Sequence, residues 1–401
     1  MFGWEFPPFS SGGLGTACYG LTKSLSKKGV DLTFVIPNAG NAPKPEFIKL
    51  ISAGDIGNIK IRRIKSLLMP YLTSQGYDEL LMKKANKNNI YGPTLFEEVY
   101  RYTQAAARIA KQESFDVIHC HDWMTYGAGI KAKEITKKPL VIHVHATEFD
   151  RTGGNGVNEY VYSLEKEGME NANRIIAVSN FTKNKIAYHY NINPEKISVV
   201  HNGVEFNENR FDNCLFDGIK RYDKVVLFLG RITLQKGPDY FLYAAKKVLE
   251  QEKNVKFIIA GSGDMEPFII EKAVELGIGD KFLFAGFLKG DEIDKAYQMA
   301  DVYVMPSVSE PFGITPLEAM KNNTPVIISK QSGVSEVIKN CLIVDFWDVN
   351  EMANKILAVL RYKALSECLK DDGLNEVKKI NWDRPAEKCI DIYNKVLMGS
   401  L

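Results

Sequence analysis

Two glutamates with seven residues between them, Glu310 and Glu318, stand in one run with a bend and a helix start: Ser307-Val-Ser-Glu310-Pro-Phe-Gly313-Ile-Thr315-Pro-Leu-Glu318-Ala-Met320. The run follows a short apolar strand pattern, Asp301-Val-Tyr-Val-Met305. Thr315-Pro-Leu-Glu318 has the spacing of a capping box, with Thr at the N-cap, Pro at N1 and Glu three residues on. A helix that starts at the carboxyl end of a parallel strand presents free N–H groups and the positive end of its dipole to an anion. Two readings stand side by side. In one, Glu318 merely holds its own helix terminus. In the other, the amides of Gly313, Ile314 and Thr315 meet phosphate and sugar, and Glu318 meets a ribose diol.

Other residues of chemical character lie at the ends of apolar runs. Arg231 and Lys236 follow Val225-Val-Leu-Phe-Leu229. An arginine bridges two phosphate oxygens and a lysine supplies a point charge, although a surface loop carries such cations too. Gly12, Gly13, Leu14 and Gly15 sit before a helix that begins near Thr16. Glycines let a backbone approach a phosphate, and they equally make a tight strand-to-helix turn. His119, His121, His143 and His145 form two His-x-His pairs. Alternate residues of a strand share a face, so each pair could present two imidazoles to zinc, against a purely structural role for His119 and His143. Paired carboxylates also raise the possibility of a double-displacement glycosidase.

The Glu-x7-Glu segment resembles the signature of retaining GT-B-fold glycosyltransferases, and its wording is close to glycogen and starch synthases, of the family 4/5 type. The resemblance continues at Gly230-Arg231-Ile-Thr-Leu-Gln-Lys236-Gly237, at His143-Val-His145-Ala-Thr and at His121-Asp122-Trp123. It also covers Trp4-Glu5-Phe-Pro-Pro and the following Gly12-Gly13-Leu14-Gly15, so the marks are ordered along nearly the whole chain.

The resemblance implies a set of roles. Arg231 and Lys236 hold the donor diphosphate, which makes an acidic metal clamp unnecessary and the reaction independent of metal and cofactor. Gly12, Gly13 and Leu14 cover the donor. His145 lies beside the transferred sugar, near C6. Asp122 and Trp123 line the sugar or acceptor pocket, and Glu5 contacts the acceptor or orders the glycine loop. Glu310 stands beside the transferred sugar and Glu318 takes the ribose, which disfavours the glycosidase pair. Retention follows from same-face attack, the leaving diphosphate oxygen taking the acceptor proton. One departure concerns the nucleotide. Where bacterial ADP-glucose-using synthases carry Lys two positions before the first glycine, this chain has Ser10.

The implied activity is transfer of glucose from UDP- or ADP-glucose to the non-reducing end of an α-1,4-glucan. The alternatives are a sibling retaining transferase making a small-sugar or mannosyl product, and a sugar-nucleotide 2-epimerase that needs no acceptor. The matched stretches offer no Schiff-base lysine of the kind a pyridoxal-dependent phosphorylase requires. A non-catalytic glucan binder is disfavoured by the presence of Arg231, Lys236, Glu310 and Glu318 together. The partners expected are a nucleotide sugar and a glucan, with an oligomer possible.

The elements that must position these residues read as two series of short β-branched strands alternating with amphipathic helices, the pattern of parallel sheets covered on both faces. The first series is Leu32–Ile36, Phe115–Cys120, Leu140–Val144, Arg174–Val178 and Ile197–His201, with a helical pattern from Thr94 to Gln112. The second is Val225–Leu229, Val255–Ile259, Phe282–Phe284, Val302–Val304 and Val326–Ile328. The fold class expected is α/β, two doubly wound, Rossmann-like domains facing across a cleft. The ranges are 1–204 for the acceptor-side domain, 205–222 for an Asn- and Asp-rich single linker and 223–380 for the nucleotide-sugar domain. A helix over 381–401 is expected to cross back to the first domain. Closure of such lobes over the donor is expected as well. Residues 40–93, with Tyr71, Tyr77 and Tyr91 dispersed, fit no clean pattern and correspond to the family's variable excursion. The opening Met1-Phe-Gly-Trp-Glu-Phe is short for a first strand.

The bulk numbers agree with this organisation. In 401 residues, 45% are hydrophobic and 25% charged, and the net charge of +2 argues against a dedicated nucleic-acid binder. No apolar stretch approaches the ~20 residues of a membrane span and no signal peptide is evident. Cys18, Cys120, Cys214, Cys341, Cys368 and Cys389 are scattered without a CxxC pair, which points to reduced thiols and a cytoplasmic protein.

Overall fold

Among the described residues, twelve short strands, every one of them paired in parallel, carry the chain in its computed structural model. The structure describes residues 1–6, 12–37, 59–64, 95–154, 156–206 and 223–399. Ser10, most of the 40–93 excursion, Thr94 and most of the 205–222 linker therefore lie outside the described residues. Two compact units emerge. One comprises Met1–Thr147, Asn158–Gly203 and Trp382–Leu401; the other comprises Glu148–Val157 and Val204–Asn381. The chain thus passes between units after residues 147, 157, 203 and 381, not through a single linker. Residues 148–157, inside the range read from sequence as the first domain, pack with the second.

The first unit holds β1 (Leu32–Pro37), β2 (Ile59–Ile64), β3 (Ile118–His121), β4 (Leu140–Val144), β5 (Arg174–Ala177) and β6 (Ile197–Val199). β1 pairs with β2, and β3 to β6 pair in sequence order. Phe2 joins the two groups by bridging to Val35 of β1 and to Cys120 of β3. Its N–H donates to His119 O at 2.8 Å, and its own carbonyl accepts from His121 N at 2.9 Å. The short first strand read from Met1-Phe-Gly is therefore a spline of one bridged residue. β2 falls in the stretch that gave no sequence pattern. Every residue of β3 and β4 is buried, as strands covered on both faces require.

Helix α1 (Gly13–Lys27) carries the glycine motif at its start and packs against the C-terminal helix Asp383–Leu397. Gly20 makes this docking possible, because a Cβ there would lie 2.2 Å from the indole of Trp382. Ser24 Oγ donates to Asp383 Oδ1 at 2.8 Å and Lys28 pairs with Glu387 at 2.7 Å along the same seam.

The second unit contains β7 (Lys224–Leu229), β8 (Val255–Ala260), β9 (Phe282–Gly286), β10 (Val302–Met305), β11 (Val326–Ser329) and β12 (Leu342–Val344), in the order β12-β11-β10-β7-β8-β9. The first three strands run one way from β7 and the last three the other way, so the direction of winding reverses between β7 and β10. That is a topological switch point, where ligands bind outside the carboxyl ends of the strands. Val226, Phe228, Phe241, Phe257, Ile259 and Val304 lie in the core beneath it. β12 is a strand the sequence pattern did not reveal. No helix among the described residues is long and apolar enough to cross a membrane.

Candidate functional site

At the switch point of the second unit, Gly230 follows β7 and Ser307 follows β10. Leu229, Gly230, Lys236, Met305, Ser307 and Glu310 line a small pocket there, together with Tyr303 and Thr315. Lys236 ends a single 3-10 turn, Leu234–Lys236, and its Nζ lies 2.5 Å from Glu310 Oε2. Ser307 Oγ donates to the same carboxylate oxygen at 3.2 Å. The lysine side chain is 20% exposed and the glutamate 7%, so the charge of each is set by the other and by whatever enters the pocket.

Arg231 is held differently. Its Nη2 donates to Gln235 Oε1 at 2.9 Å, and Gln235 Nε2 donates to the carbonyl of Ser309 at 3.0 Å. Gln235, only 3% exposed, thereby joins the two cation-bearing positions to the Glu310 loop. The motif comparison drew attention to Arg231 and Lys236 but passed over the glutamine between them.

The Glu310 backbone runs extended beside residues 331–333. Its N–H donates to Gln331 O at 2.8 Å and its carbonyl accepts from Gly333 N at 2.9 Å. Gly313 then turns with φ of +98°, where a Cβ would stand 3.1 Å from Glu310 Cγ. A glycine is required there on both counts.

The helix Thr315–Lys321 departs from the capping box. Its N-cap is Ile314, and no side chain caps it. The Thr315 hydroxyl accepts instead from Tyr303 OH at 2.9 Å, and Glu318 accepts from Tyr297 OH at 3.3 Å. Glu318 has turned away from its own helix terminus to a tyrosine of the neighbouring helix, so it does not compete with a ligand for the first-turn amides. Burial raises the Glu318 carboxyl above its ordinary value, partly offset by Lys321.

The first unit builds a different environment. The register aligns His121 with His143 across β3 and β4, and so stacks the two His-x-His pairs. Ring centroids are 4.3–5.4 Å apart with interplanar angles of 18–33°. His119 Nδ1 meets Tyr393 OH at 2.6 Å, and His121 Nδ1 meets His145 Nε2 at 3.0 Å. His119 Nε2, His121 Nε2 and both nitrogens of His143 find no partner among the described residues. Burial holds His119, His121 and His143 well below the ordinary histidine range and His145 at about 3, so all four rings are neutral.

Nitrogens of His119, His121 and His143 come within 4.8 Å of one another, as do His121 and His145 with the Cys18 sulfur. Three of the ring pairs are stacked at 18–22° and two are tilted at 30–33°.

Asp122, at the end of β3, has φ of 61° and ψ of 167°, a region that only glycine adopts readily. The strained backbone aims its carboxylate at the next strand end, where Oδ1 accepts from His145 N at 2.8 Å and Ala146 N at 3.3 Å. Asp122 is 2% exposed, and Trp123 is 6% exposed with its ring near Phe96. Oδ1 of Asp122 is thus engaged with the backbone that carries His145.

Glu5 is 1% exposed and its Oε2 accepts from Gly15 N at 3.0 Å. It thus occupies part of the positive end of α1. Gly12 is the N-cap of α1, and Gly13 and Leu14 open the helix. A Cβ at Gly13 or at Gly230 would meet nothing within 4 Å among the described residues, and neither has positive φ. The packing of the described residues does not demand glycine at these two positions.

Comparison with known proteins converges on one family. The profile described as Glycosyl transferases group 1 matches residues 216–374, and that of Glycosyltransferase Family 4 matches residues 11–208. An uncharacterized glycosyltransferase of Methanocaldococcus jannaschii is 31% identical over 407 residues, 98% of this chain and 97% of that one. A D-inositol 3-phosphate glycosyltransferase of Corynebacterium diphtheriae is 23% identical over 97% of this chain and 91% of its own. A glycogen synthase of Mycobacterium tuberculosis is 24% identical over 85% and 80%. Among solved structures, sucrose-phosphate synthase from Thermosynechococcus elongatus aligns over 100% of this chain and 98% of its own, with a TM-score of 0.76 at 20% identity.

Proposed function

Because the chain belongs to the group 1, family 4 glycosyltransferases and has their GT-B fold, we propose that it transfers glucose with retention from UDP- or ADP-glucose to the non-reducing end of an α-1,4-glucan. The observation that carries the transferase chemistry is the Lys236–Glu310 pair at the switch point, with Arg231 tied to the same loop through Gln235. Breaking the C1–O bond of a nucleotide sugar leaves charge on a diphosphate. Fixed cations in a partly dehydrated pocket stabilise that charge more than water does, and here they do so without a metal. A bound diphosphate takes Lys236 from Glu310, which frees the carboxylate to face the sugar hydroxyls. Glu318 takes the ribose, while Gly313, Ile314 and Thr315 offer their amides.

The resemblance assigns Gly12, Gly13 and Leu14 to the donor and His145 to the transferred sugar. A neutral imidazole exchanges hydrogen bonds with a hydroxyl without adding charge beside a developing oxocarbenium ion. The free, mostly buried thiols Cys18, Cys120, Cys341 and Cys389 support a reducing, cytoplasmic setting.

The glucan acceptor is supported by the wording of the Glu310–Met320 segment and by the glycogen synthase relative. A second reading, transfer to a small phosphorylated acceptor, is supported by the relative named for D-inositol 3-phosphate. A donor panel of UDP-glucose, ADP-glucose, UDP-GlcNAc and GDP-mannose, each with maltooligosaccharide or inositol phosphate and with EDTA present, tests both. Elongated glucan from a glucose donor is the expected result. Turnover with inositol phosphate alone moves the function to the second reading, and turnover that EDTA abolishes removes metal independence.

A further inference from the structure

We propose that Asp150 is a positioning residue of the transferase reaction, setting the Ser307–Glu310 loop from a segment that the chain inserts into the second unit. The proposal rests on the glycosyl-transfer reading above. The insertion begins directly after the His145-Ala146-Thr147 strand end, and Glu148–Val157 packs with the second unit although β4 and β5 on either side of it belong to the first. It opens with a four-residue helix, Glu148–Arg151, that contacts the Leu234–Lys236 turn. So short a helix is not stable alone, and its place must come from what it touches.

Asp150 is fully buried, and its Oδ1 accepts from Ser309 Oγ at 2.6 Å. Taking a carboxylate out of water is costly unless a good donor compensates, so this contact holds firmly. Gly153, two residues beyond the helix, keeps the segment against the same loop. A Cβ there would stand 3.5 Å from Val308 and 3.7 Å from Leu234.

Ser309 is thus held from several sides. Its hydroxyl is held by Asp150 and its carbonyl by the Gln235 side chain, which also holds Arg231, while the Gln235 carbonyl accepts from Val308 N and Ser309 N. The next residue is Glu310, whose backbone is pinned on its other side by Gln331 and Gly333. Removing Asp150 releases one of these restraints without touching donor or acceptor. Glu310 and Lys236 then sample positions off the reacting geometry, so the loss falls on turnover and not on binding.

The test uses the full chain with its best donor and acceptor, comparing wild type with Asp150→Ala, Asp150→Asn, Ser309→Ala and the Asp150→Ala/Ser309→Ala double variant. Asp150→Ala should lower kcat by roughly tenfold to a hundredfold while donor KM and UDP affinity stay within about twofold. Asp150→Asn, which keeps an acceptor oxygen, should recover most of kcat. The double variant should be no slower than the slower single one, since both remove the same contact. A folded Asp150→Ala enzyme with wild-type kcat overturns the proposal. So does a loss that raises KM equally, adds to that of Ser309→Ala and is not rescued by Asn, which marks a merely structural residue. If Asp150→Ala does not fold, Ser309→Ala decides, and wild-type kcat there overturns the proposal. Wild type inactive on every donor strikes down the transferase reading and this inference with it; active wild type with indifferent variants strikes down Asp150 alone.

Discussion

The two units solve one architectural problem with opposite electrostatics. Both end short parallel strands in polar side chains. In the first, the strand ends carry four stacked imidazoles that burial keeps neutral, serviced by Tyr393 and by the Asp122 carboxylate on the adjoining backbone. In the second, they carry a lysine and a glutamate paired with each other in a pocket. Charge is kept where a counter-charge or an incoming anion meets it, and it is suppressed where neither arrives. The neutral unit is therefore sensitive to protons and the charged unit to loss of its partner.

The largest effect that separates them is acid. His119, His121 and His143 titrate well below their ordinary value in the folded unit, and His145 at about 3. The unfolded chain protonates its histidines near about 6.5. Above that pH the neutral array contributes its full stability. Below it the unfolded state binds more protons, and each histidine lowers stability by about 1.4 kcal/mol per pH unit, down to its folded value. All four together amount to about 5 kcal/mol per pH unit. Hydrogen exchange at about pH 7 and about pH 5 should show β3 and β4 losing protection well before β7 and β10. Equal loss in both units would mean that the rings are already charged or hydrated in the folded protein.

Next in size is the charged unit. Arg231→Ala and Lys236→Ala should each cost about 2–4 kcal/mol of transition-state stabilisation, read as kcat/KM. A cation that stays solvated contributes little to the fold, so its removal leaves folding intact. For Lys236 the structure revises this, because its removal strands a glutamate only 7% exposed whose carboxylate keeps the Ser307 hydroxyl as a donor among the described residues. Lys236→Ala should lose about 1–3 kcal/mol of stability, and a second change, Glu310→Gln, should restore most of it. Arg231→Ala removes a hydrogen bond to the buried Gln235 amide oxygen and should lose less, about 0.5–1.5 kcal/mol. Matching melting temperatures for the two alanine variants would dissolve the contrast.

A third prediction concerns α1 and the C-terminal helix in the first unit. Gly20→Ala places a methyl group 2.2 Å from the Trp382 ring, and the indole must shift. A cost of about 1–3 kcal/mol follows, confined to that unit, so UDP binding should survive in protein that melts earlier. Unchanged melting would show that the seam relaxes.

Much of this was legible in the sequence because it rests on local signals. Each β-branched run of the two series became a strand, and parallel pairing followed from the helices between them. Lys236, Glu310 and Thr315, read from contiguous motifs, line one pocket at the switch point. What escaped depends on partners far apart in sequence. β2 and β12 are short and need neighbouring strands to define them. Thr315 and Glu318 have the spacing of a capping box, yet Tyr303 and Tyr297 outcompete the helix terminus for them. Gln235 looks like loop filler until Ser309, 74 positions away, gives it a buried acceptor. The sequence of Glu148–Val157 contains no mark of the unit with which it packs.

The smallest stability effect is also the sharpest comparison, since it sets two glycines of one kind against each other across the units. Gly313 needs its φ of +98° and stands against Glu310, so substitution there strains the fold. Gly13 and Gly230 have neither constraint, and an added methyl group meets nothing within 4 Å among the described residues. Gly13→Ala also gains helix propensity at the start of α1 and reduces the freedom of the unfolded chain, which stabilises by about 0.4–1 kcal/mol. If the space exists for a donor, both alanine variants should melt at or slightly above the wild-type temperature while donor KM rises by about tenfold, a loss of roughly 1.4 kcal/mol in binding. Gly230→Ala should weaken UDP itself, because Gly230 lines the pocket that holds Lys236. Gly13→Ala should weaken the nucleotide sugar and leave UDP nearly untouched if its loop meets the sugar end of the donor. Equal effects on UDP and on UDP-glucose would instead put the α1 loop on the diphosphate.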